Sequence, residues 1–363
     1  VFEIRKAGLN ILMSMKGDRK PVAFIEDCAV SLEHLADYTA RLKEIFKKYG
    51  TSGMFYAHAS VGTLHVRPVL NMKSDKDIQN MRSISEEAFE MVKDYKGSHS
   101  GEHGDGIVRS EFHEMMFGKK ITNAFEEIKD TFDSKNLLNP GKIVRPFKSN
   151  DRSLMRYKSG YQTENIDTHY DWSNWGQFSD AVEMCNNNGA CRKLDSGVMC
   201  PSYRVTKEEK DLVRGRANTL RLALSNQLPE GSFASKEMYE TMELCVSCKA
   251  CQRECPMSVD MAKMKSEFLS HYYKKFSMRI KDRVISDMPR LIWLLKIVAP
   301  IFNKIKNIPL ISTIVEKFGF ATARTMPEVQ NQNALREIYD SQTVSENKVI
   351  LFADTFNINF ENE

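Results

Sequence analysis

The run Cys245-Val-Ser-Cys248-Lys-Ala-Cys251-Gln-Arg-Glu-Cys255-Pro256 carries the most specific chemistry in the sequence. Its C-x2-C-x2-C-x3-C-P spacing holds cubane iron–sulfur clusters through thiolates, the cysteine before proline serving a second cluster. A zinc knuckle also uses C-x2-C pairs, but four cysteines in one short run closed by proline fit it poorly. Cys185, Cys191 and Cys200-Pro201 supply a matching half. If the exchange is reciprocal, Cys245, Cys248 and Cys251 take Cys200 as fourth ligand, and Cys185 and Cys191 take Cys255. Asn188 stands where a middle cysteine would sit. The first site is thus expected to hold a 4Fe-4S cluster, and the second a 3Fe-4S cluster or a 4Fe-4S cluster with a non-cysteine ligand. Cys28, apart from the others, reads as a buried apolar thiol.

Histidines form a second constellation. Tyr56-Ala-His58-Ala-Ser-Val-Gly62-Thr-Leu-His65-Val-Arg-Pro68 places two of them across a glycine turn. If the flanking strands pair, both imidazoles can face one point. Gly97-Ser-His-Ser-Gly101-Glu102-His103-Gly104-Asp105-Gly106 adds a carboxylate and a further histidine, in a loop whose glycines let backbone approach a ligand closely. Two histidines and a carboxylate suit a divalent ion with open positions for substrate. Solvated loop histidines fit the same spacing. The loop carries neither a phosphate-loop nor a dinucleotide fingerprint.

The elements that must position these groups alternate short apolar runs with helical patterns up to residue 148. Pro21 to Ile25, Met54 to Ala57 and Leu64 to Leu70 read as strands; Ser31 to Gly50, Asp75 to Tyr95 and Lys120 to Phe132 read as helices, the first capped by Ser31. This order predicts an α+β domain on an antiparallel sheet over residues 1–148. Residues 149–179 are polar and read as a linker. Residues 180–275 read as an all-α domain with cysteine-bearing loops, and 276–345 as a helical extension with Pro289, Pro300 and Pro309. Residues 346–363 read as the start of a truncated domain, opening with a strand over Lys348 to Asp354. Arg214, Arg216 and Arg221, at helical spacing, read as a solvated face, and Leu291 to Val315 as a face that packs against another domain.

Several motifs in one order resemble a known family. Ile25-Glu-Asp27, the His58 to His65 motif, Ser100-Gly-Glu-His-Gly104, Asn139-Pro-Gly-Lys142, Cys191-Arg192 through Met199-Cys-Pro201, Arg214-Gly-Arg-Ala217 and the Cys245 to Pro256 run are similar to the FAD-linked 2-hydroxy acid dehydrogenases. These are the relatives of glycolate oxidase, D-lactate dehydrogenase and D-2-hydroxyglutarate dehydrogenase, in the long bacterial form with an iron–sulfur module on the same chain. The resemblance implies a ferredoxin-like antiparallel sheet in the first domain. It implies that His58, His65 and Glu102 hold a divalent ion, usually zinc, that grips the substrate's carboxylate and hydroxyl. His103 is then the base for the hydroxyl proton, Arg5 pairs with the substrate carboxylate as a planar fork should, and Asn139 lies beside the flavin.

The implied function is FAD-dependent oxidation of a D-2-hydroxy acid to the 2-oxo acid, with electrons passing through two clusters to a quinone, a cytochrome or an electron-transfer protein. A non-catalytic electron-transfer subunit docking a separate flavoprotein is the alternative, and a zinc-binding interaction module a third reading. The sequence departs from the family at Ser60-Val-Gly62-Thr63-Leu-His65, where members have Gly-Asp-Gly-Asn-Leu-His, and at Ile25, where a lysine is usual. The substrate therefore stays open between D-lactate and D-2-hydroxyglutarate types. Residues 1–150 offer no glycine-rich loops for the FAD diphosphate, so the expectation is a fragment lacking an N-terminal FAD-binding domain and a C-terminal cysteine-rich region.

Composition sets the outer bounds. The chain has 363 residues, with 52 Lys plus Arg against 48 Asp plus Glu and a formal charge of +4. That balance excludes a disordered polymer or a nucleic-acid-coating tail, so no nucleic-acid partner is expected. No apolar run reaches the roughly 18–20 residues of a membrane span. The expected location is the cytoplasm, or the cytoplasmic face of the inner membrane through a peripheral contact.

Overall fold

A computed structural model describes residues 8, 10–195, 197–306, 308–321, 323, 326–330 and 354–360. Two compact units divide it, residues 1–272 and 273–363. Arg5 and most of the expected strand Lys348 to Asp354 lie outside the described residues; Thr355–Phe360 is helical.

β4 (Thr63–Asn71) is the axis of the first module. β3 (Gly53–His58) pairs with it antiparallel along one edge, Tyr56 opposite His65 and His58 opposite Thr63. The other edge is shared by two short strands, β1 (Arg19–Pro21) opposite residues 69–71 and β2 (Cys28–Ala29) opposite residues 63–64. Between them the chain leaves the sheet. The apolar run expected as a strand over Pro21 to Ile25 therefore ends at Pro21, because Phe24 and Ile25 are buried in the core instead of being laddered. That break sets Glu26 and Asp27 beside His65.

Two helices cover one face of the sheet. α1 (Leu35–Lys48) buries Tyr38, Leu42 and Phe46 at i, i+4 and i+8. Ser31 makes no side-chain cap; a 3-10 turn over Leu32–His34 starts the helix instead. α2 (Asp75–Asp94) is capped by Ser74, whose hydroxyl accepts from the Asp77 N–H. Leu64, Val66 and Leu70 of β4 join this core with Phe89 and Val92 of α2. Strand alternation then turns His65 and Arg67 to the opposite face.

The β3–β4 turn depends on Gly62. Its φ is +70°, and a Cβ there would lie 1.9 Å from the Val30 carbonyl oxygen. Gly62→Ala is expected to destabilise the chain by about 3 kcal/mol or more, since backbone must move as well as strain. Chemical denaturation tests this, and a change below about 1 kcal/mol contradicts it.

α3 (Gly106–Ser110), α4 (His113–Phe117) and α5 (Lys119–Phe132) complete the first module. The polar stretch at 149–179 has little regular structure, yet it is fastened down. The buried Glu267 carboxylate accepts the His169 and Tyr170 N–H groups and the Trp172 indole N–H, and Trp172 is 3% exposed.

The cysteine-bearing module is helical, with α6 (Phe178–Glu183), α7 (Pro201–Thr206), α8 (Val213–Leu224), α9 (Lys236–Glu243), α10 (Ala250–Glu254) and α11 (Met261–Lys275) around one apolar cluster. Arg216 and Arg221 are not a solvated face: they are 1% and 8% exposed. Arg216 donates to the Thr241 and Asp211 carbonyls and to the Ser202 hydroxyl. The spacing reports the face, but the neighbours that enclose it come from elsewhere in the chain. Lys73 links the two modules, 2.6 Å from Asp18 and 2.7 Å from Glu183 on α6.

In the second unit, α12 (Ile280–Ile305) contains Pro289 and Pro300, and α13 (Pro309–Lys317) follows. Trp293, Ile297 and Ile301 remain exposed on α12. Among the described residues no helix is long and apolar enough to cross a membrane.

Candidate functional site

The hairpin register puts Tyr56 and His65 side by side and His58 diagonal to them. Ring centroids of His58 and His65 are 5.1 Å apart, and Tyr56 stacks on His65 at 5.0 Å. Glu102 reaches this face from the glycine-rich loop. Its Oε1 lies 3.2 Å from His58 Nε2 and 3.1 Å from His65 Nε2. His103 stacks on His65 at 4.8 Å, with Nε2 3.6 Å from the same Glu102 oxygen. Four of the expected site residues thus share one patch.

Two imidazole nitrogens aimed at one carboxylate oxygen form a compact N2O donor set, which suits a zinc-type ion. Burial holds the His65 pKa below its usual value, which favours the neutral ring that a metal would need. His103 is 43% exposed at its side chain, which leaves an open approach beside the donor set.

Sequence reasoning gave no role to the groups that hold this loop. Asp27 is fully buried, at φ +82° in the break between β1 and β2. Its carboxylate accepts N–H bonds from Gly101 (2.9 Å), Glu102 (2.9 Å) and His103 (2.7 Å). A Cβ on Gly101 would lie 3.1–3.3 Å from Asp27 and Thr63, so the loop approaches closely because residue 101 is glycine. Asp27 can be grouped with His65, Glu102 and His103 as a metal ligand, but these three backbone donors already occupy it.

Glu26 sits on the other side of the histidines, Oε1 3.7 Å from His65 Nδ1 and 3.8 Å from His103 Nδ1. Arg67 grips it with two bonds of 2.8 Å. Buried Arg109 donates to the Glu26 and Gly104 carbonyls and so joins the two loops. The motif Ile25-Glu-Asp27 carried the signal for these anchors, but no spacing rule links it to a loop some 75 positions away. Asn139 stands apart, exposed and at φ +46°, with Oδ1 accepting from Lys142 Nζ at 3.4 Å.

In the iron–sulfur module, Cys200, Cys245, Cys248 and Cys251 line one small cavity. Cys185, Cys191 and Cys255 lie close enough for their charges to act on one another, and Cys191 also lies near Cys200. Burial pushes the thiols of Cys185, Cys191 and Cys251 up, and that of Cys200 to about 12. Buried thiols with raised pKa are poor thiolates unless a metal takes their protons' place. The Val213 N–H donates to Cys200 Sγ at 3.3 Å, a contact of the kind that tunes cluster sulfur. Ser247 and Lys249 hold left-handed backbone in the loop around Cys248, at φ +54° and +59°. The Asn188 amide is engaged within its own loop, donating to Asn186 and accepting from Ala190 N–H. Cys28, 0% exposed, has its thiol pushed up to about 12 by burial and is an inert core group.

A cleft of about 520 Å³ runs between the modules, lined by Arg67 and Lys20 on one side and by Trp175, Asn188 and Met257 on the other. Arg67, from the strand that carries His65, and Asn186 and Asn188, from the loop between Cys185 and Cys191, both reach it.

Comparison with known proteins agrees with this division. Residues 1–143 match the family model of FAD linked oxidases, C-terminal domain, and residues 181–259 match the 4Fe-4S dicluster domain. The D-2-hydroxyglutarate dehydrogenase of Pseudomonas putida is 30% identical over 99% of this chain and 40% of its own length. That of Pantoea ananatis is 30% identical over 84% of this chain and 33% of its own length. A D-lactate dehydrogenase of Archaeoglobus fulgidus is 33% identical over 37% of this chain and 29% of its own. The chain therefore spans about a third to two fifths of the length of these dehydrogenases. Residues 1–143 are thus the C-terminal domain of FAD linked oxidases, and residues 181–259 add, on the same polypeptide, a 4Fe-4S dicluster domain.

Proposed function

We propose that the chain is the substrate and cluster segment of an FAD-dependent dehydrogenase that oxidises a D-2-hydroxy acid to the 2-oxo acid and passes electrons through two iron–sulfur clusters to a quinone, cytochrome or electron-transfer protein. The observation that carries this reading is the convergence of His58 Nε2 and His65 Nε2 on Glu102 Oε1, with His103 stacked alongside. His58, His65 and Glu102 would hold a zinc-type ion, which when bound makes a coordinated hydroxyl more acidic. His103 Nε2 faces that position and takes the hydroxyl proton. Glu26, on the Nδ1 side, stabilises the imidazolium that forms. Arg5 would pair with the substrate carboxylate, and Asn139 would help hold the flavin.

Bound flavin would accept the hydride and release electrons one at a time. Cys200, Cys245, Cys248 and Cys251 hold a 4Fe-4S cluster; Cys185, Cys191 and Cys255 hold a 3Fe-4S or 4Fe-4S cluster. The cleft between Arg67 and Asn188 is the space this chain offers between its two sites. Four relatives are named D-2-hydroxyglutarate dehydrogenase, which makes D-2-hydroxyglutarate the first substrate to assay, ahead of D-lactate.

The test is His103→Ala in the full-length protein. A fall in kcat of about a hundredfold or more with iron content unchanged is expected. Unchanged turnover would instead favour the electron-transfer subunit whose first domain only docks a flavoprotein.

A further inference from the structure

Behind the Glu102 loop lies a second donor set that the proposed reaction does not use. His99 and His113 are 1% and 3% exposed, and Asp105 stands between them. Asp105 Oδ2 is 3.0 Å from His113 Nε2, and Asp105 Oδ1 is 3.6 Å from His99 Nε2. The two rings are nearly perpendicular, 5.6 Å apart, so each presents an edge to the carboxylate. Phe89, Phe117 and Phe125 pack around them.

The hydrogen-bond ledger does not close. Both ring nitrogens of His99, Nε2 of His113 and Oδ1 of Asp105 are buried without a well-formed hydrogen bond, although the Arg109 backbone lies beside His99 and the Ser100 side chain beside Asp105. A buried polar atom left bare costs about 1–3 kcal/mol, so a cluster drawn from three neighbouring side chains calls for a common partner. His113 shows which kind. Its Nδ1 lies 3.2 Å from the Ile143 carbonyl, an acceptor only, so Nδ1 carries a proton, and in the neutral ring Nε2 presents a lone pair. Backbone carbonyls fix metal-binding histidines in this way. A proton shared between His113 and Asp105 would satisfy that pair but not the second nitrogen of His99, whereas a cation takes one nitrogen from each ring and a carboxylate oxygen, leaving the other His99 nitrogen to the Arg109 backbone.

We propose that His99, Asp105 and His113 form a second divalent-ion site, of the zinc type, distinct from the His58, His65 and Glu102 set. Two imidazoles and one carboxylate, with no thiolate, suit a borderline ion such as Zn2+, and the partly exposed edge of Asp105 leaves room for a water ligand. The location gives the ion a task. His99 and Asp105 bracket Ser100 to Gly104, the loop that presents Glu102 and His103, and His113 ties that bracket to Ile143, just beyond the Asn139 turn. The ion clamps the base of the loop; it touches no substrate. That task rests on the proposed function, but the existence of the site does not.

Metal analysis of the purified, cluster-loaded chain tests it. About two zinc per chain are expected. His113→Gln and Asp105→Asn should each remove one and leave iron unchanged, while His65→Gln removes the other. One zinc lost with His113→Gln but kept in His65→Gln upholds the second site and overturns the reading of the first. Zinc content unchanged in both His113→Gln and Asp105→Asn overturns the proposal. Should those variants not fold, zinc titration of the His65→Gln chain decides: one equivalent bound is expected, and none overturns the site.

Discussion

Asp27→Asn is expected to lose about 3 kcal/mol of stability and to release the ion proposed for His58, His65 and Glu102, with the iron content unaltered. Asp27 is 0% exposed and accepts the N–H groups of three consecutive residues. Hydrogen bonds to a charged group contribute about 1.5–3 kcal/mol each, and a buried donor left bare costs a similar amount. The amide of asparagine keeps one accepting oxygen and turns two donors toward a loop that already offers only donors. The left-handed backbone at residue 27, φ +82°, suits asparagine as well as aspartate, so lost acceptance is isolated from backbone strain. Chemical denaturation and metal analysis of the two proteins, side by side, read both effects. Equal stability and equal zinc would mean that the Glu102 loop holds its shape without Asp27.

That anchor separates what the sequence discloses from what it conceals. A hairpin has a period of two, so a glycine turn with histidines at 58 and 65 is enough to expect both rings on one face. Glu102 and His103 were also legible, because adjacent functional groups in a glycine-rich loop are a local pattern. Asp27, Glu26 and Arg109 act between segments tens of residues apart, and no periodicity describes such contacts. The same limit explains the strand expected over Pro21 to Ile25. Four apolar residues in a row are satisfied as well by burial under a loop as by a central strand, and here Phe24 and Ile25 take the first course. Arg216 gives the converse case. Helical spacing places it on a face, but the carbonyls of Thr241 and Asp211 that make its burial tolerable come from outside its helix.

Serine substitutions at Cys200 and at Cys255 should separate the two proposed clusters. Cys200→Ser is expected to remove about four iron atoms per chain and the EPR signal of the Cys245, Cys248 and Cys251 site, while the other signal persists. Cys255→Ser should do the reverse. The reasoning is spatial: Cys200 lines one cavity with Cys245, Cys248 and Cys251, although α7, α8 and α9 separate it from Cys245 in sequence, whereas Cys255 leaves that loop and lies with Cys185 and Cys191. A serine hydroxyl is a hard and weakly acidic ligand, so it replaces a thiolate poorly at iron. Low-temperature EPR before and after dithionite, with iron analysis, reads the outcome. Loss of the same signal from both variants would show that the ligands are not exchanged between the two cysteine groups. The sign of the pH effect follows from the same burial. Because the Cys200 thiol is pushed up to about 12 and its buried neighbours are also raised, cluster assembly must displace protons, and reconstitution of the stripped chain should become more complete as pH rises. Reconstitution yields that do not change between mildly acidic and mildly alkaline buffer would mean that these thiols lose their protons before the metal arrives.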